Sequence, residues 1–144
     1  MTPTRRRNLV IALHWACVFL ILTMIKGGVS TAWVLALFVG LVALWSGMTL
    51  VWGQMARPGP RLGPALRRGY PWMHRALHLL LALTALAILL RLLDRPLPFL
   101  DAWTMLLVTL SAGAFHGLFQ VWRHTALYDN ALAAILPRGM RKWL

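Results

Sequence analysis

Four stretches of this chain, residues 9–25, 31–52, 72–93 and 102–122, stay apolar for long enough to cross a lipid bilayer. A helix rising 1.5 Å per residue needs about 17–25 such residues to traverse a hydrocarbon core of roughly 30 Å. Lipid offers no partner to backbone N–H and C=O groups, so each stretch satisfies its own as a helix. Composition agrees: of 144 residues, 60% are hydrophobic and 12% charged, about half the charged fraction of a soluble domain. The first stretch does not read as a secretion signal, because its apolar run is long and "IKGGVS" lacks a small-x-small cleavage site. The expected fold is an all-α membrane protein, four transmembrane helices in an up-down bundle, forming a single domain over 1–144. The loops are too short to house a soluble domain, and no repeat is visible.

The net charge of +12 invites a nucleic-acid reading, but the placement of the charges excludes it. Arg5, Arg6 and Arg7 precede the first span, and Arg57, Arg61, Arg67 and Arg68 fill the connection between the second and third. Arg123, Arg138, Arg141 and Lys142 lie at the end of the fourth span and beyond it. The other two connections carry Lys26 in one, and Arg95 with Asp94 and Asp101 in the other. This asymmetry follows the positive-inside rule, puts both termini in the cytoplasm and sets the arginines beside anionic membrane lipid. Trp33, Trp52, Trp72, Trp103 and Trp122 fall at span ends, as an interfacial aromatic belt does. Cys17 is the single cysteine and reads as a small apolar filler. The stretch "ARPGPRLGPALRRGYP" reads as an irregular surface loop, with Pro71 in the first turn of the third span. Asp129 is placed to cap a short interfacial helix over 130–136, stopped by Pro137, with Trp143 anchoring the tail.

Five histidines stand in this apolar chain: His14, His74, His78, His116 and His124. Counted from the expected span ends, His14, His78 and His116 share a level roughly 8–10 Å below the cytoplasmic surface, while His74 and His124 fall at the interface. A lone histidine in a span is explained by a hydrogen bond to a neighbouring helix. Three at one level, on three helices, point to a cofactor, because bundles build such sites from facing side chains. Haem iron takes axial imidazoles inside an apolar slot. Zinc would also accept three histidines, but no Cys, Asp or Glu stands at that level to complete its site. Gly47, Gly113 and Gly117 lie near the same depth and would let a flat macrocycle approach a helix backbone; small-residue helix packing explains Gly113 and Gly117 equally well. His116, Gln120 and either Arg123 or His124 form one helical stripe leading to the surface, where Arg123 suits haem propionates or lipid phosphates. The chain has no Glu, and nothing in it resembles a hydrolytic triad, a phosphate loop or a carboxylate pair.

The residues "RRRNLVIALHW", "WMHRALHLLLALTALAI" and "FHGLFQVWRHTALYDNALAAILP" resemble the first, third and last spans of the bacterial cytochrome b561 family. The resemblance implies a multi-pass protein of the bacterial cytoplasmic (inner) membrane carrying b-type haem. It makes His14 and His116 the axial, metal-binding ligands of the cytoplasmic-side haem, with Gly47, Gly117, Gln120, Arg123 and His78 as cofactor neighbours. At the positions of the family's outer-haem ligands this chain carries Ala36 and Ala102, so the resemblance implies one haem b. Electrons would then be exchanged in the cytoplasmic half, with quinone (ubiquinone) or a partner subunit, as in a respiratory-chain component. Haem is expected to be lost in His14→Ala and His116→Ala and kept in His78→Ala; a pairing of His78 with either is the rival. Two other functions fit the same pattern. One is a non-catalytic b561-like accessory subunit of a larger respiratory or photosynthetic complex, or a homodimer. The other is a handler of haem or a metal ion that uses His74, His78 and His124 as an intake path.

Overall fold

The structure is a computed structural model that describes residues 2–136 and 139. Four long helices follow one another: α1 Pro3–Gly27, α2 Ala32–Trp52, α3 Pro64–Leu92 and α4 Ala102–Ala126. A short 3-10 turn, Ala131–Ala134, completes the described chain, which contains no strand among those residues. All four helices are long and apolar enough to cross a membrane. Each packs on its sequence neighbours, and α4 closes back more loosely on α1, giving an up-down bundle in which α1 begins and α4 ends on the same side.

Local chemistry sets most of the boundaries. Thr2 caps α1 by accepting the Arg5 N–H at 3.4 Å, and Asp101 caps α4 by accepting from the Thr104 N–H at 2.7 Å and the Thr104 hydroxyl at 2.9 Å. Gly28 (φ 76°) and Gly53 (φ 72°) end α1 and α2 in the left-handed half of backbone space, which glycine enters without a Cβ penalty. The third helix departs from the sequence expectation. It starts at Pro64, eight residues before the expected 72, so half of the supposed loop is helical and Pro71 lies inside the helix. Proline suits a first turn, and the Ala-Leu-Arg-Arg run behind it consists of strong helix formers. The short helix expected over 130–136 is the 3-10 turn instead, with Asn130 at its start in a left-handed conformation and no side-chain cap. Asp129, expected as that cap, is engaged elsewhere. Pro137 and Trp143 lie outside the described residues.

The bundle has two unlike halves. Away from the termini it is packed solid: Met24 of α1, Phe38 and Val42 of α2, Ile88 of α3 and Leu106 of α4 interlock, with Phe38, Ile88 and Leu106 at 0% exposure. The Thr84 hydroxyl sits at the floor of this packing, 2.6 Å from the Thr109 hydroxyl, and donates to the Leu80 carbonyl at 2.9 Å. Toward the termini the helices enclose a cavity. Arginines and a tryptophan hold that end together by donating to loop and tail carbonyls. Arg6 reaches Gly53 O at 2.6 Å, Arg7 reaches Ala133 O at 3.0 Å, Arg61 reaches Leu127 O at 2.8 Å, and Trp15 Nε1 reaches Ile135 O at 3.0 Å. These residues therefore tie the connection and the tail to the bundle.

Candidate functional site

The cavity has a volume of about 460 Å³ and lies in the half of the bundle near the termini, bounded below by Leu80, Leu81 and Thr109. That volume falls within the roughly 300–1,000 Å³ typical of small-molecule and cofactor sites. Four of the five histidines line it: His14 from α1, His74 and His78 from α3, and His116 from α4. Counting from the observed helix ends revises their depths. His14 lies 11 residues beyond Pro3, His74 lies 10 beyond Pro64, and His116 lies 10 before Ala126, which puts all three about 15–17 Å from their helix ends. His78, 14 residues beyond Pro64, is about one turn deeper. The level-mate of His14 and His116 is therefore His74, which sequence counting leaves at the interface because it takes Trp72 as the start of the helix.

Ring contacts join His74 to His116 and, through Trp45, His14 to His78. The His74 and His116 rings meet at 4.9 Å between centroids with their planes perpendicular. Trp45, near the middle of α2, stands edge-on to both His14 (5.8 Å) and His78 (5.0 Å) and forms the wall between them. The histidines differ in hydrogen bonding. His74 Nδ1 lies 3.0 Å from the Tyr70 carbonyl, which only accepts, so Nδ1 carries the proton and Nε2 keeps its lone pair. His78 Nε2 is engaged by the Thr49 hydroxyl at 3.2 Å. His116 Nδ1 is buried without a partner among the described residues. His124 does not line the cavity, and its Nδ1 is likewise buried and unpartnered.

Toward the mouth runs a polar column. Gln120 donates to the Tyr70 hydroxyl at 3.4 Å and accepts from Arg123 Nη1 at 3.0 Å. Arg123 lies over the Tyr70 ring at 4.8 Å and forms a two-pronged ion pair with Asp129, through Nε at 2.9 Å and Nη2 at 2.7 Å. Both Gln120 and Arg123 line the cavity, but the Arg123 charge is already neutralised, so it is not a free anion site as the sequence reading holds. Arg6, Arg7 and Arg57 provide the remaining positive charge at the mouth.

The glycines fall differently from expectation. All three are exposed, and of them Gly113 lines the cavity while Gly47 and Gly117 do not. A Cβ on any of the three would meet nothing within 4 Å, so close helix packing is not what places them. Of the two alanines at the outer-ligand positions, Ala102 is buried in the packed half while Ala36 is exposed on the outer surface of α2. Sequence reasoning also misses Trp45, Tyr70 and His74. A signal exists for Trp45, a tryptophan in mid-span and not at a membrane interface. A second, shallower groove between α3 and α4, lined by Met73, Leu77, Ala112 and Phe115, brings the His116 ring within reach of the outer surface.

Among the described residues, no three His, Cys, Asp or Glu side chains come together to hold one metal ion. A bare ion of the zinc type needs three or four protein ligands, whereas haem iron takes four from its macrocycle and needs only axial ones. The residues present fit haem on those grounds: apolar walls, two imidazoles at one level on neighbouring helices α1 and α4, an orphaned imidazole nitrogen on His116, and cationic side chains at the mouth. No family model matches this chain, and no curated protein or solved structure is significantly similar to it. Fold and cavity define the protein by class: a multi-pass, all-helical membrane protein with a histidine-lined chamber at one end of a four-helix bundle.

Proposed function

We propose that this protein is a membrane b-type cytochrome that transfers electrons through one haem held by His14 and His116. The observation that carries this reading is the chamber itself, in which a polar imidazole cluster faces an apolar space at the one end of the bundle that is not packed solid. Polar side chains at such depth in a membrane are costly and mark functional sites. When bound there, haem b supplies one-electron iron redox chemistry. His14 and His116 would hold it, Trp45 and Gly113 would shape the slot, and Arg6, Arg7 and Arg57 would face its carboxylates.

The packed far half supports a single cofactor and one-sided exchange. From His14 to the far end of α1 at Gly27 is 13 residues, about 20 Å of helix, and that space is filled by Phe38, Ile88 and Leu106. Electrons would therefore enter and leave in the histidine-lined half. Quinone or a partner subunit is the exchange partner, and the α3–α4 groove beside His116 gives lipid-side access for the former. On the positive-inside rule this half faces the cytoplasm of a bacterial inner membrane. The test is a reduced-minus-oxidised spectrum of protein purified with haem supplied. A low-spin bis-histidine b-type signal that disappears in His14→Ala is the expected result, and its absence from the wild-type protein overturns the reading.

A further inference from the structure

The chamber holds two more imidazoles than a bis-histidine site uses, His74 and His78, and the placement of His74 is specific. His74 shares the level of His14 and His116, and its ring touches that of His116 at 4.9 Å, less than the roughly 5.4 Å rise of one helical turn. Its Nδ1–H is spent on the Tyr70 carbonyl at 3.0 Å, which fixes the tautomer and leaves Nε2 with a free lone pair. That is the arrangement found in histidines that ligate metals, where the outer nitrogen donates to a carbonyl or carboxylate and orients the ring. His116 has no such anchor, because its Nδ1 is unpartnered among the described residues. The other two candidates are unsuited. His78 sits a turn deeper with Nε2 engaged by Thr49, and His124 lies off the cavity.

We propose that His74 is a reserve axial ligand of the same site, able to take the coordination position of His116 through its Nε2 lone pair. The step exchanges one neutral imidazole for another at the metal, so no electron or proton changes hands. Removing the His116 ring vacates volume beside His74, and the His74 ring, turning about its Nδ1–H anchor on the Tyr70 carbonyl, can direct Nε2 into that space. The inference rests on the haem reading, and it reverses the sequence expectation that His116→Ala loses the cofactor.

The experiment compares wild type, His116→Ala, His116→Ser, His74→Ala and the double variant His74→Ala/His116→Ala. Each is expressed with haem supplied and checked for folding by size exclusion and helical circular dichroism. The readouts are haem stoichiometry, the optical spectrum and low-temperature electron paramagnetic resonance of the oxidised form. Both His116 variants and His74→Ala should keep a low-spin, six-coordinate signal at near wild-type haem content, while the double variant should turn high-spin or lose haem at least tenfold. His116→Ser keeps the volume beside His74 open with a small polar side chain, and serves where the alanine variant does not fold. A low-spin wild type whose His116 variants are high-spin, haem-free or both unfolded overturns the reserve-ligand role alone. So does a double variant that stays low-spin, or a His74→Ala protein that loses the signal. A wild type without any low-spin signal instead overturns the haem reading beneath it.

Discussion

Replacing Asp129 with alanine should be among the most damaging single changes in the half of the bundle that holds the cavity. Arg123 is 3% exposed, and the Asp129 side chain that neutralises it is fully buried. Without Asp129 the guanidinium keeps only the Gln120 amide oxygen at 3.0 Å and the Tyr70 ring at 4.8 Å, neither of which carries a charge. Breaking a buried pair by removing one partner costs about 3–5 kcal/mol, because the other charge is left uncompensated. For a chain of this size each kcal/mol lowers the melting temperature by roughly 3–4 °C, so Asp129→Ala should melt about 10–20 °C below wild type. The measurement is thermal unfolding in detergent micelles, followed by far-UV circular dichroism. The double variant Arg123→Met/Asp129→Leu removes both charges and refills the space. It should recover at least half of the loss, since apolar replacement of a whole buried pair is often neutral or stabilising. Gly59→Ala belongs to the same argument. A Cβ there would overlap Asp129 Oδ2 and crowd Arg123 Nη2, so it should cost about 1–3 kcal/mol as overpacking. A drop of less than about 3 °C in Asp129→Ala, or a double variant no more stable than Asp129→Ala, would refute the reasoning.

Two further expectations concern the packed half and the opposite end. Thr84→Val leaves the buried Thr109 hydroxyl without its 2.6 Å partner and should destabilise by about 1–3 kcal/mol, whereas Thr84→Val/Thr109→Val should lose much less; a double-mutant cycle of melting temperatures decides it. Asp101→Ala removes the α4 cap and should cost about 0.5–2 kcal/mol at neutral pH. The N–H and then the hydroxyl of Thr104 hold the Asp101 carboxyl below the usual carboxylate range. A depressed carboxylate contributes fully above its unfolded value of about 4 and loses that contribution as pH falls through the native value. The gap between wild type and Asp101→Ala should therefore close below about pH 4, and a gap that stays constant into acid would count against the cap.

The spans were legible in the sequence because length of apolar run is a one-dimensional property, and lipid leaves the backbone no choice but helix. Rotation of each helix was not legible. In a soluble bundle the inner face is the apolar one, but here lipid and core are both apolar, so the sequence barely distinguishes them. Depth alone puts Gly47 and Gly117 beside the histidines, but neither lines the cavity. His14, His78 and His116 line one cavity, and a polar side chain in a span marks an inner face by itself. His74 was displaced by a boundary error: taking Pro71 as a first turn moved the origin of the depth count by a full two turns. Asp129 was misread because its partner Arg123 lies six residues back, across the end of α4, and no helical periodicity links residues on opposite sides of a turn.

The two halves of the bundle solve different problems with different forces. Phe38, Ile88 and Leu106 hold the far half by side-chain packing, which needs no direction and tolerates no space. A chamber removes that source of cohesion from the near half, and directional bonds replace it: Arg6, Arg7, Arg61 and Trp15 fasten the connection and tail to α1 and α4, and the Arg123–Asp129 pair locks the last turn. Most of these donors are arginines, whose planar, permanently charged forks bind acceptors without titrating. The positive charge gathered at this end of the bundle thus also closes the end that holds the histidines. It does so at the perimeter, leaving His14, His74 and His116 to line one cavity between the helices.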